Sequence, residues 1–158
     1  MNLQLMRRQE IGKQQSMQNR NSYVTSLSKY TQIDVQTAVQ SATPHRLIEM
    51  LIEGAMARIA VAQGQMERKE TAAKGESISW AISIVSGLRD SLNVKDGGTI
   101  AENLDALYEY MCRRLVHANL NNDLAALREV HKLLGDIRQG WKAISETANL
   151  PAGEVRSA

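Results

Sequence analysis

Four stretches of this chain repeat apolar residues at the period of a helix that buries one face, and each is bounded by turn or capping chemistry. The best marked covers Asn103 to Asn119, where Leu104, Leu107, Tyr108, Met111, Leu115 and Ala118 fall on one stripe. Ahead of it, Thr99 and Glu102 have the spacing of a capping box, in which hydroxyl and carboxylate each satisfy a free backbone N–H. Asp96-Gly97-Gly98 reads as a turn, because glycine tolerates positive φ. The pattern predicts a loop over residues 93–98 and a helix from about Thr99 to Asn119.

Upstream, Thr43-Pro44 is a helix start: a capping hydroxyl, then proline where its missing N–H costs nothing. The predicted helix runs from Pro44 to about Glu67 with two stripes side by side. One is Leu47, Met50, Leu51, Gly54, Val61 and Ala62; the other is Ile48, Ile52, Ala55, Ile59 and Met66. Arg58 interrupts the first, so that part of it is expected to meet solvent or a carboxylate. After the polar break Arg68-Lys69-Glu70, a helix from about Thr71 to Leu92 carries Ile78, Ala81, Ile82, Val85, Leu88 and Leu92, with Trp80 and Ile84 on its flank. Asn121-Asn122-Asp123 is a cap-rich turn, and the last helix, about Leu124 to Ala148, carries Leu127, Val130, Leu134, Ile137, Trp141 and Ile144. Four helices of similar length joined by short links predict an all-α, antiparallel up-down four-helix bundle over 43–149, with 150–158 as a frayed tail.

Residues 1–22 are rich in Gln, Asn and Arg and too poor in apolar residues to offset ordering entropy, which predicts a disordered extension. In 23–42, Tyr23, Val24, Leu27 and Tyr30 make a short amphipathic helix followed by a connector. A helix so short is not stable alone in water. It is either a brace packed permanently on the bundle or a detachable lid.

At 158 residues one domain is expected, and with no phenylalanine its core must be built from aliphatic residues and methionine. Residues 1–30 set five basic residues against Glu10, a net +4, whereas the remaining 14 basic and 16 acidic residues give −2. The body is therefore not a nucleic-acid surface; only the tail could touch a polyanion. Cys112 has no partner for an internal disulfide, as in a reducing compartment, and no segment has the length of apolar chain that spans a membrane. Chemistry is scarce. None of His45, His117 and His131 has the Glu-x-x-His spacing of a bundle metal site, Cys112 has no base beside it in sequence, and Gly97-Gly98 lacks the strand and lysine of a phosphate loop. No catalytic residue, metal site or cofactor is expected.

What the sequence offers instead is more apolar circumference than one seam per helix uses. Either it is core, since each bundle helix touches two neighbours, or it forms a groove for a partner's amphipathic helix. The candidate binding residues are Tyr23, Tyr30, Ile48, Ile52, Ile59, Trp80, Ile84, Tyr108 and Tyr110. The tyrosines suit either reading, with a ring to bury and a hydroxyl for the rim.

The run Asn103-Leu104, Leu107-Tyr108, Tyr110-Met111, Arg113-Arg114-Leu115 and Ala118-Asn119 resembles the third helix of the flagellin export chaperone (FliS) family. Ala42-Thr43-Pro44-His45-Arg46-Leu47-Ile48 with Met50-Leu51-Ile52-Glu53-Gly54-Ala55 is similar to that family's first long helix. Ala81, Ile84 and Leu88 resemble its second. Asp123, Glu129-Val130, Leu134, Ile137-Arg138 and Trp141 resemble its last, and Tyr23 and Tyr30 its N-terminal tyrosine segment. The resemblance covers about residues 23–145. It implies a helical bundle of the bacterial cytosol that is not an enzyme. It also implies that the disordered C-terminal segment of flagellin folds into apolar grooves of the bundle, preventing premature assembly before export, with the tyrosine segment able to occupy part of that surface. The export apparatus is a further implied partner. Ile52 stands where the family usually has tyrosine. The competing expectation is a helical module for a different regulator, or a homodimer that buries the extra stripes against itself.

Overall fold

The computed structural model describes residues 42–148 and the isolated positions 4 and 7, with side chains described as far as Ile144. The tyrosine segment with Tyr23 and Tyr30, the extension 1–22 and the tail 150–158 were given expectations above that lie outside the described residues. What is described is helical: α1 (Pro44–Glu67), α2 (Thr71–Asp90), α3 (Val94–Asn121) and α4 (Leu124–Ala148). They pack as a closed ring, α1 on α2, α2 on α3, α3 on α4 and α4 on α1, which is the predicted four-helix bundle.

The helix ends explain themselves chemically. Thr43 Oγ1 accepts from Arg46 N at 3.2 Å, with Pro44 in the first turn. Lys69 turns left-handed at φ 59°, while Arg68 N and Glu70 N donate to Gly64 O and Gln65 O, closing α1. Asn122 does the same for α3 at φ 50°. There Lys74 of α2, only 3% exposed, donates from Nζ to Asn119 O at 2.9 Å and Asn122 Oδ1 at 2.7 Å. A cation reaching over from the neighbouring helix thus satisfies a C-terminal carbonyl that α3's own side chains do not.

The start of α3 differs from expectation. Residues 94–97 are wound into a helical turn capped by Asn93, whose Oδ1 accepts from Asp96 N and whose amide donates to Asp96 Oδ2 at 2.7 Å. Asn93 is a good cap, and a local Asx bond wins over an open loop. The predicted break survives as Gly98, at φ 54° and ψ −136° inside the helix.

The core runs through the ring. Leu47, Leu51, Ile52 and Ile59 of α1 meet Ile78, Ile84, Val85 and Leu88 of α2, Met111 and Leu115 of α3, and Leu127 and Leu134 of α4, all essentially sealed. The core face of α1 lies between the two stripes rather than on the first. The second stripe supplies Ile52, Ala55 and Ile59 to the interior, and Val61 is 47% exposed.

The glycines give opposite expectations. Gly98 holds a conformation in which any side chain is strained, so Gly98→Ala is expected to cost about 1–3 kcal/mol. Gly140, exposed within α4, has nothing within 4 Å of an added Cβ, so Gly140→Ala should stabilise by about 0.5–1 kcal/mol. Denaturant midpoints of the two variants should move in opposite directions.

Candidate functional site

At the end of the bundle where α1 and α3 begin and α2 and α4 finish, the helices leave an apolar trough of about 660 Å³. That volume lies within the range of sites that hold a ligand. Pro44, His45 and Ile48 come from α1 and Leu88 from α2, with Ser91 and Leu92 just beyond it. Ile100, Ala101, Leu104 and Tyr108 come from α3, and Ile137 and Trp141 from α4. Leu104 and Ile137 are partly buried against the core, whereas Ile100 is 74% exposed on the rim.

One contact holds two of the walls together. The His45 and Trp141 rings stack with centroids 4.4 Å apart and planes 11° from parallel, and Trp141 Nε1 donates to His45 O at 2.9 Å. This pins the start of α1 to the last turns of α4. Around it, Arg138 donates to Glu53 at 2.9 Å, and Arg46 and Lys142 flank Glu49 at 3.0 and 3.5 Å. Burial pushes the Glu49 carboxyl up, but Arg46 and Lys142 together bring it below its ordinary value. On the opposite wall Arg89 of α2 grips Asp105 of α3 with two N–H···O bonds, at 2.7 and 3.3 Å. Tyr110 and Arg114 both donate to Glu129, joining α3 to α4. Charge is thus spent on the seams, and the lining stays greasy.

The expected binding residues separate. Ile48 lines the trough, as does Tyr108, which is itself 3% exposed. Ile52, Ile59 and Ile84 sit inside the core, so their apolar surface is taken up by neighbouring helices. Trp80 is half-buried on another face, with the Arg58 guanidinium 5.4 Å from its ring centroid; the cation that interrupts the α1 stripe meets an aromatic face there. Tyr110 is half-buried on the α3–α4 seam, its ring flanked by Arg113. Sequence reasoning assigned Leu88, Leu92, Leu104 and Ile137 to core stripes, and did not single out Ile100. The one available signal was positional: each lies near a helix end that antiparallel packing gathers at one pole.

A second cavity, of about 440 Å³, lies at the other pole, where Lys74 and Asn122 meet Gln65, Glu67 and Lys69. Lys74 and Asn122 there serve the end of α3 already described. Cys112 is half-buried with Sγ 3.7 Å from Ser86 Oγ, and burial pushes its thiol up, away from nucleophilic chemistry. Among the described residues no cluster of His, Cys, Asp or Glu could hold a metal ion, and no helix is long and apolar enough to cross a membrane.

The sequence profile of the FliS family, described as flagellar protein FliS, matches residues 26–148. This chain belongs to the FliS family. Its relatives include the flagellar secretion chaperone FliSB of Pseudomonas aeruginosa, 46% identical over 120 residues, or 76% of this chain and 95% of that one. The flagellar secretion chaperone FliS of Salmonella typhimurium is also 46% identical, over 126 residues, 79% of this chain and 93% of its own. FliS of Bacillus subtilis is 36% identical over 107 residues, 68% of this chain and 79% of its own. The matched FliS span contains the whole trough lining. Chaperones of this kind are not a class of enzymes.

The Arg89–Asp105 pair makes a pH test of the wall. The hydrogen bond from Arg89 holds the Asp105 carboxyl below the usual aspartate range, with a smaller opposing push from burial. A depressed folded value means stability that is present above the unfolded pKa and lost as pH falls through the folded one. Thermal midpoints should therefore drop below about pH 4, and Asp105→Asn should show a shallower drop over that window with a lower midpoint at neutral pH.

Proposed function

We propose that the trough receives an amphipathic helix formed by the disordered C-terminal segment of flagellin. Holding that segment in the bacterial cytosol keeps flagellin from assembling before it is passed to the export apparatus. The observation that carries the reading is the open apolar trough at one pole of the bundle. Membership of a family of flagellar secretion chaperones supports the choice of cargo. An apolar groove between helices suits a helix that presents anchors at i, i+3, i+4 and i+7.

The physics fits a carrier that must also let go. Flagellin segments left free would associate, and sequestering one of them removes it by mass action. A segment that folds as it binds typically buries about 1,000–3,000 Å² and spends about 2–5 kcal/mol on ordering, so binding is specific yet reversible without ATP. Leu104, Ile137 and the exposed Ile100 supply apolar contact, and Ile48 forms part of the floor. The tyrosine segment carrying Tyr23 and Tyr30 is proposed to cover the trough when it is empty.

Calorimetry with the flagellin C-terminal peptide should give saturable binding with clearly negative ΔCp, the mark of buried apolar surface; no binding, or ΔCp near zero, would count against the reading. Ile100→Asp should leave the fold within about 0.5 kcal/mol because the residue is exposed. It should weaken the peptide at least about tenfold, since burying one isoleucine is worth about 1.5–3 kcal/mol. Light scattering on the free protein separates this from a homodimer, in which Ile100→Asp would instead change the mass.

Deleting residues 1–30 should tighten peptide binding if the tyrosine segment competes for the trough. Unchanged or weaker affinity in the same titration would make that segment a brace or part of the binding site.

A further inference from the structure

Most polar groups among the described residues of the trough lining are engaged or out of reach. Ser91 Oγ donates to Leu88 O at 2.6 Å, and Trp141 Nε1 is bonded to His45 O. Tyr108 is buried and has an interaction of its own, and His45 Nε2 is sealed from the surface. Asp96 differs. It is exposed, and it is the one carboxylate among the described residues of the lining. Its Oδ2 accepts from the Asn93 amide at 2.7 Å. Its Oδ1 has no hydrogen bond, and the carboxylate has no cationic partner, among the described residues. By contrast, Glu49, Glu53 and Asp105 on the seams around the trough are each paired with an arginine.

The backbone sets where this carboxylate stands. Asn93 Oδ1 accepts from Asp96 N, and Asn93 O accepts from Gly97 N at 2.8 Å. Gly97 lies so close to the next turn of α3 that an added Cβ would meet Ala101 Cβ at 2.6 Å. Gly98 then turns the chain at positive φ. The first turn of α3 is thus folded against Ala101, itself part of the lining, and it carries Asp96 to the rim.

We propose that Asp96 is a specificity-determining residue of the trough: its carboxylate pairs with a lysine or arginine at the edge of the docked helix's apolar face and so fixes that helix's register. This rests on the reading of the trough as a helix-binding site. The chemical class follows from the carboxylate. It only accepts hydrogen bonds, so its partner must donate. A helix seated on the apolar lining takes water from the rim, and a carboxylate that loses water needs its charge balanced as well as its hydrogen bond replaced. A hydroxyl or carboxamide supplies the donor without the charge; a cation supplies both. At a rim, such a pair selects among helices and registers more than it adds raw affinity.

The test is a coupling experiment with the full-length chain. Each lysine and arginine of the flagellin C-terminal peptide is replaced singly by Gln, and affinities are measured for the native protein and for Asp96→Asn. The asparagine keeps an oxygen for the Asn93 amide, so the turn keeps its cap while the charge is removed. One peptide substitution should weaken binding to the native protein about three- to fivefold, the upper part of what an exposed pair gives, and leave binding to Asp96→Asn nearly unchanged. At that position, Glu in the peptide together with Asp96→Lys in the protein should recover affinity that either change alone loses. Misfolding cannot produce such a recovery. The same loss on native and variant protein for every peptide, or no recovery on exchange of the charges, overturns the role of Asp96 and leaves the trough reading standing. Failure of the unsubstituted peptide to bind the native protein overturns the trough reading itself, and this inference with it.

Discussion

Trp141 against His45 is the contact on which the working end of this bundle depends. It joins residues 96 apart in sequence through a ring stack and an N–H···O bond, and fixes where α1 begins relative to where α4 finishes. Two walls of the trough, those of α1 and α4, meet at that junction. Ile48 lies one turn along α1 from His45, and Ile137 lies one turn back along α4 from Trp141.

The distribution of charge follows the same division between middle and end. Arg138–Glu53, Arg89–Asp105 and Arg114–Glu129 each bridge two helices. Half-exposed pairs of this sort add little stability individually. Their effect is positional: they align neighbouring helices, while Asp96, bonded to the Asn93 amide, is the one carboxylate among the described residues of the trough lining.

The architecture was legible because each helix announced itself locally. Thr43-Pro44, Asn121-Asn122-Asp123 and the stripes through Met111 and Leu134 depend only on neighbours within a turn or two, and those rules do not change with tertiary context. The first turn of α3 was misread as loop because Asn93 competes locally with the glycines that follow it. The lining of the trough was less legible. Ile48 and Ile52 are one turn apart on the same stripe, yet one lines the trough and the other is sealed. Trp80 looked like open apolar surface until Arg58 of the adjacent helix was seen lying across it.

Sequence alone therefore determined the number of helices, their antiparallel order, most of their boundaries and the kinship with FliS proteins, since all of these are written in short-range period, caps and motif. Tertiary structure decided which apolar residues are core and which face an opening, and that the opening lies at the pole shared by Pro44, Leu92, Ile100 and Trp141. The physical reason is that burial is a property of pairs of surfaces. A helix can state which of its faces is apolar, but only the neighbours that arrive can say how much of that face they cover.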